Sequence, residues 1–322
     1  MKHQWFPFLL VAAVGCNLSL SRAQEVHFSQ AYANPLRLNP ALAGSEKGTR
    51  VTLHYRHQWW DMASVYQTFS ASYDRALPSI RSGVGVQVYR DNAGNGTLQS
   101  TSVSATYAYQ VPLSRELSLR AGSQATWRQH KLDWERLTFE DQVDARYGFI
   151  YDSRERPGRT VHTTPDFSSG VMLMSRHYFI GVSVYHLLQG NEPLTSGTSA
   201  VLPRRLSLQA GYIHPFDRKN PTLGSISPNV IVVQQAGTRV VQLGFYAQRG
   251  VLTGGIWYRH GQALTFLAGL QHQSLRFGYS FDLTYADFQG PGTAHELSLG
   301  VHLPSRRRWG RKRHQPVPCP TF

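Results

Sequence analysis

Cysteine is almost missing from these 322 residues, with only Cys16 and Cys319 present. Once Cys16 departs with a leader, as argued below, a single thiol remains. That excludes an internal disulfide framework and any cysteine-based zinc site. Charge is also scarce, at 16% of residues; a disordered chain would carry more charge and fewer aromatics. Beyond the leader no stretch approaches eighteen consecutive apolar residues, so no transmembrane helix is expected. Catalytic signatures are missing too: there is no Gly-x-Ser-x-Gly elbow, no His-Glu-x-x-His and no phosphate loop. No enzyme and no cofactor are expected. The fourteen histidines are scattered singly, and His54 and His57, three apart on a strand, point to opposite faces. "RDNAGNG" (90–96) has the acid and amide spacing of a calcium loop but lacks the downstream glutamate, and reads as a glycine-rich hairpin turn. No metal site is expected.

The chain begins like an address. Met1-Lys2-His3 is basic, Trp5 to Val14 is apolar, and Ser21-Arg22-Ala23 offers small residues for cleavage, which makes 1–23 a signal peptide. Lipidation at Cys16 is the alternative, with Ala13 a poor residue three places before it. Formal charge is +14, and +12 without Lys2 and Arg22. Much of the excess lies in the tail, 304–322, where "RRRWGRKR" (306–313) contains Arg307, Arg308 and Arg311. In an exported chain such a tail suits anionic lipid headgroups, cell-wall polymer or an acidic partner rather than nucleic acid.

What fills the rest is period two. Val51-Leu53-Tyr55 alternates with Thr52-His54-Arg56, Val103-Ala105-Tyr107-Tyr109 with Ser104-Thr106-Ala108, and His295-Leu297-Leu299-Val301 with Glu296-Ser298-Gly300. About fourteen such runs occur: 49–59, 65–75, 81–90, 99–111, 116–129, 166–175, 178–187, 203–214, 226–235, 238–248, 250–260, 262–272, 274–284 and 294–303. Most approach the roughly 9–11 residues that a tilted strand needs to cross a bilayer. The even number suits a bacterial single-chain barrel with both termini on the periplasmic side. Alternate connections are long, at 130–165, 188–202 and 285–293, with the short 91–96 turn on that side too. Those between are short, except the eleven residues 215–225. The expected fold is all-β: a single-chain transmembrane antiparallel barrel over 49–303. A soluble β-sandwich is the rival.

Two segments fall outside this pattern. Loop 130–165 carries Trp134, Leu137, Phe139, Phe149, Ile150 and Tyr151 among acids and arginines, and a loop that long is usually functional. The segment 24–48 contains "AYANPLRLNPALAG" (31–44), a stiff stretch with Asn34-Pro35, Asn39-Pro40 and the apolar Tyr32, Leu36 and Leu38. It either packs into the lumen as a plug or lies at the periplasmic rim as a docking strip. Trp134, Leu137, Phe139, Phe149, Tyr151, Asn34, Pro35, Asn39, Pro40, Arg307, Arg308 and Arg311 are the candidate partner-binding residues. Arg56 and Arg120 face inward, toward a pore or a packed interior.

Several stretches in this order resemble one family. They are "HFSQAYANPLRLNPALAG" (27–44), "YRHQWWDMASVYQTFSASYD" (55–74), "DNAGNGTLQSTSVSATYAYQ" (91–110), "LSLRAGSQATW" (117–127), "DWERLTFEDQVDARYGFI" (133–150), "TPDFSSGV" (164–171), "LPRRLSLQAGY" (202–212), "HELSL" (295–299) and "CPTF" (319–322). Together they are similar to the PorP/SprF membrane proteins of the type IX secretion system of Bacteroidota. The resemblance implies an outer-membrane barrel of the secretion and gliding machinery. Its implied partners are the C-terminal domain of an exported surface protein such as a gliding adhesin, the translocon, and periplasmic ring or peptidoglycan-binding components. It carries over no catalytic residues. The other function classes are a channel for a small or hydrophobic solute and a passive anchor to peptidoglycan.

Overall fold

The computed structural model describes residues 25, 27–59, 65–144, 146–153, 160–190, 201–217, 223–285 and 292–304. Fourteen strands form the wall. They are β1 Thr49–Gln58, β2 Tyr66–Leu77, β3 Ser82–Ala93, β4 Leu98–Pro112, β5 Leu117–Leu132, β6 Val161–Ser175, β7 Tyr178–Tyr185, β8 Arg205–Tyr212, β9 Ser225–Gln235, β10 Thr238–Arg249, β11 Leu252–Arg259, β12 Ala263–His272, β13 Leu275–Thr284 and β14 Thr293–Leu303. Each pairs antiparallel with its chain neighbours, and β14 pairs back onto β1 with Val51 opposite Val301. The sheet is therefore a closed barrel with no open edge.

Alternation sorts the side chains. On β2, Ser70, Ser72 and Asp74 are buried in the interior while Phe69 and Tyr73 are exposed on the outer surface. On β1, Thr52, His54 and Arg56 point in and Leu53 out. The same rule gives an apolar outer belt that includes Val88, Tyr107, Trp127, Phe167, Ile180, Phe245, Phe266, Phe277 and Leu297. A polar interior behind an apolar belt is the pattern of a barrel solvated by lipid.

The wall is uneven. Strands β3 to β6 have 12, 15, 16 and 15 residues, whereas β7, β8 and β11 have 8 each. Strand β6 starts at Val161, five residues before the periodicity suggested. Pro165 obscured that start in the sequence. Above Ser169, β6 has ladder partners only on β5, so a residue without an N–H is tolerated there. The long inward turn is shorter than it looked, because His214–Pro215 continues the ladder against Ser225 and Ile226.

Candidate functional site

Residues 27–46 run through the lumen. Fourteen strands enclose more space than wall side chains fill, and this segment takes it up. The two Asn-Pro pairs shape it. Pro35 opens the helical turn Pro35–Leu38 and Pro40 opens the 3-10 turn Pro40–Leu42, first-turn positions where the missing N–H costs nothing. Asn39 caps the second turn, its Oδ1 accepting from the Ala41 N–H at 2.9 Å.

Buried carboxylates and arginines hold the segment to the wall. Glu296 accepts the Ser29 N–H at 2.8 Å and the Gln30 N–H at 3.1 Å. Arg56, 2% exposed, binds Glu296 at 3.2 Å, Asp282 at 2.8 Å and the Ser29 hydroxyl at 2.8 Å. Arg56 and Glu296 face each other across the β1–β14 seam, so the pair that closes the barrel also anchors the segment. Tyr32 then packs edge-on against Phe179 and Tyr246 and beside Trp257. Below it Arg120 donates to the Ala41 and Ala43 carbonyls at 2.8 and 2.5 Å, and Asp74 accepts the Gly44 N–H at 2.7 Å. Gly122 makes room for this: a Cβ there would lie 2.5 Å from the Pro40 carbonyl.

The ends of the segment define its direction. Glu25 pairs with Arg128 at 3.0 Å, His186 at 3.1 Å, Arg37 at 3.3 Å and Arg205 at 3.5 Å. Arg128, His186 and Arg205 all lie where their strands meet the long loops. Glu46, by contrast, pairs with Arg50 at 2.8 Å and Arg276 at 2.9 Å, at the end with the short turns. Residue 25 thus lies at the long-loop end, and the chain descends from there through the lumen to β1. Burial opposes ionisation of both acids and is outweighed. His186, Arg37 and Arg128 hold the Glu25 carboxyl well below its usual range, and Arg50 and Arg276 bring Glu46 down to about 2.

Asn34, Pro35, Asn39 and Pro40 are spent on the barrel itself. Asn34 is 1% exposed, donates to the Ser70 hydroxyl at 3.0 Å and accepts from Gln87 at 2.8 Å. Asn39 Nδ2 donates to the Val171 and Val182 carbonyls at 3.4 and 3.2 Å. All four are buried. The sequence-based search missed Glu25, Asp74, Arg128, His186, Asp282 and Glu296, since a lone charge at an inward strand position gives no sign of its cross-lumen partner. Arg307, Arg308 and Arg311 lie outside the described residues.

The loop between β5 and β6 is ordered where described. Trp134 packs at a tilt against Phe139, ring centroids 4.8 Å apart. Asp133 N–H donates to the Thr97 carbonyl at 2.8 Å and Arg136 to the Asn95 carbonyl, which docks the loop on the β3–β4 turn. Val143–Asp144 pairs with Gly148–Phe149, and the Asp144 carboxylate accepts the Arg146 and Tyr147 N–H groups, which hold it below the usual carboxylate range. Trp134, Leu137 and Phe139 are half-buried, whereas Tyr147, Ile150 and Tyr151 are exposed. Phe149 belongs to the short hairpin, and its side chain lies outside the described set. The structure therefore keeps the loop residues apart from the lumen residues. Among the described residues no group of three histidines, cysteines or acids is placed to hold a metal.

Taken together, these features define an outer-membrane β-barrel whose interior is occupied by its own N-terminal segment. The chain belongs to the family described as type IX secretion system membrane protein PorP/SprF, which matches residues 20–301. No curated protein matches it in sequence. In structure it is similar to a Pseudomonas aeruginosa FadL homologue, at 10% identity and TM-score 0.45, over 82% of this chain and 92% of that one. It is similar to the P. putida toluene transporter TodX at 10% identity and TM-score 0.48, over 83% and 93%. A BamA from Haemophilus ducreyi lacking POTRA domains 1–3 is similar at 8% identity and TM-score 0.42, over 80% and 71%. At such identity none of them assigns a cargo or a solute to this chain.

Proposed function

We propose that this barrel is a non-enzymatic docking platform of the type IX secretion and gliding machinery. In this reading the long-loop end faces outward and holds the C-terminal domain of an exported surface protein. The opposite end, with the basic tail 304–322, faces periplasmic components of the machine. The observation that carries it is the division of labour in the fold. The lumen is filled by residues 27–46 through hydrogen bonds to buried charged wall groups and the buried Glu46–Arg50 pair, while the loop after β5 is ordered by its own contacts and exposes Tyr147, Ile150 and Tyr151. A filled lumen suits a platform better than a conduit, and exposed aromatics on an ordered loop suit an interface. Deleting 136–148 is expected to leave a folded, heat-modifiable barrel that no longer co-purifies with its exported partner. Unchanged co-purification from a folded deletion variant would refute the loop's role.

A further inference from the structure

Beneath the long-loop end the lumen brings together Arg37, Arg56, Arg128, Arg205 and Arg259 with the acids Glu25, Asp91, Asp166, Asp282 and Glu296. Burial lowers the His186 pKa, and Glu25 and Asp166 beside it outweigh that and raise it. Two of the arginines are only partly engaged by these acids. Among the described residues Arg205, 8% exposed, reaches the crowded Glu25, at 3.5 Å, and the Tyr185 ring, 5.7 Å from its guanidinium carbon. Arg259, 7% exposed, makes one hydrogen bond, to the Ser29 hydroxyl at 3.3 Å, because Arg56 already engages Asp282 and Glu296. Among the described residues the Nε of each is buried without an acceptor. Buried charged donors without an acceptor are costly.

The space for one is present. A cavity of about 30 Å³ is lined by Arg205, Arg37, His27 and Gln242 among its polar residues and by apolar ones such as Phe28 and Ile231; Arg259 lies outside the lining but stands opposite Gln242 in the β10–β11 register. One water takes roughly 10–15 Å³ by this measure, so the cavity suits a single small ion and excludes anything bulky. Burial, then Arg205 and Arg259, push His27 well below the imidazole range, as a positive potential at the cavity requires.

We infer that this cavity binds a small monovalent anion, a free halide or a carboxylate, held by Arg205 with Arg259 behind it and the neutral donor Gln242 beside it. The site is independent of which partner docks on the loops. Its test is thermal unfolding of the full chain in detergent micelles at constant ionic strength, replacing gluconate, too bulky to enter, with chloride or acetate. Saturable stabilisation is expected, reaching about a hundredfold in the folded-to-unfolded ratio at a hundredfold excess over Kd. It should vanish in Arg205→Gln and weaken in Arg259→Gln. A stronger response to acetate than to chloride identifies a carboxylate site; the reverse identifies a halide site. Should Arg205→Gln fail to fold, chloride-35 line broadening on the unsubstituted protein, reversed by acetate, carries the same test. No saturable response to either anion, or an equal response in a folded Arg205→Gln, overturns the inference.

Discussion

Glu296→Gln is the most informative single change to the lumen. Glu296 is fully buried and accepts three donors: the Ser29 and Gln30 N–H groups at 2.8 and 3.1 Å and Arg56 at 3.2 Å. Glutamine keeps the shape, loses the charge and, in either amide orientation, turns a donor toward at least one existing donor. Hydrogen bonds to a charged group contribute roughly 1.5–3 kcal/mol each against about 1 for neutral ones, and breaking a buried ion pair costs about 3–5 kcal/mol. Arg56 keeps Asp282 at 2.8 Å, so the low end, about 3 kcal/mol, is expected. That energy is lost from the hold on the segment, because the strand ladders are untouched. At 1.4 kcal/mol per decade the population with residues 27–46 released rises about a hundredfold. Trypsin cleavage after Arg37, which is 14% exposed and paired with Glu25, reads that population when opening is fast relative to cleavage. Adding Arg56→Met should cost more still, since it leaves the buried Asp282 carboxylate without its 2.8 Å ion-pair partner. A cleavage rate within about threefold of the unsubstituted barrel would refute the anchoring role of Glu296.

Two further outcomes follow from the same packing. Glu46 has a folded pKa depressed to about 2, so its stabilisation is complete above its unfolded value near 4.5 and is lost as pH falls toward 2; Glu46→Gln should flatten the acid limb of a pH-stability curve and lower stability at pH 7. In Gly122→Ala the new methyl meets the Pro40 carbonyl; overpacking costs about 1–3 kcal/mol, and the variant should remain heat-modifiable on gels while its segment becomes sensitive to trypsin.

The wall was legible in the sequence because strand alternation is local. Inward Thr52-His54-Arg56 against outward Leu53-Tyr55 needs no knowledge of distant residues, and all fourteen strands follow from such runs. Pro165 hid the start of β6 because the one-sided pairing that tolerates it is a property of neighbouring strands. The contacts of the lumen were less legible. Arg56 and Arg120 read as inward, and the structure spends both on a packed interior. Their partners are 226 to 240 residues away in the case of Asp282 and Glu296, or are main-chain carbonyls in the case of Ala41 and Ala43. Period two says that Glu296 points inward; only closure of β14 onto β1 brings it to Arg56. The Asn-Pro pairs read as punctuation, and they start two helical turns, which period two does not report.

The most direct measurement is planar-bilayer conductance of the purified full-length barrel. A lumen filled by residues 27–46 and locked by Glu25, Asp74, Asp282 and Glu296 predicts a silent bilayer at moderate voltage, with steps appearing once Glu296→Gln loosens the segment. Stable, reproducible open steps from the unsubstituted protein would contradict a barrel closed by its own chain.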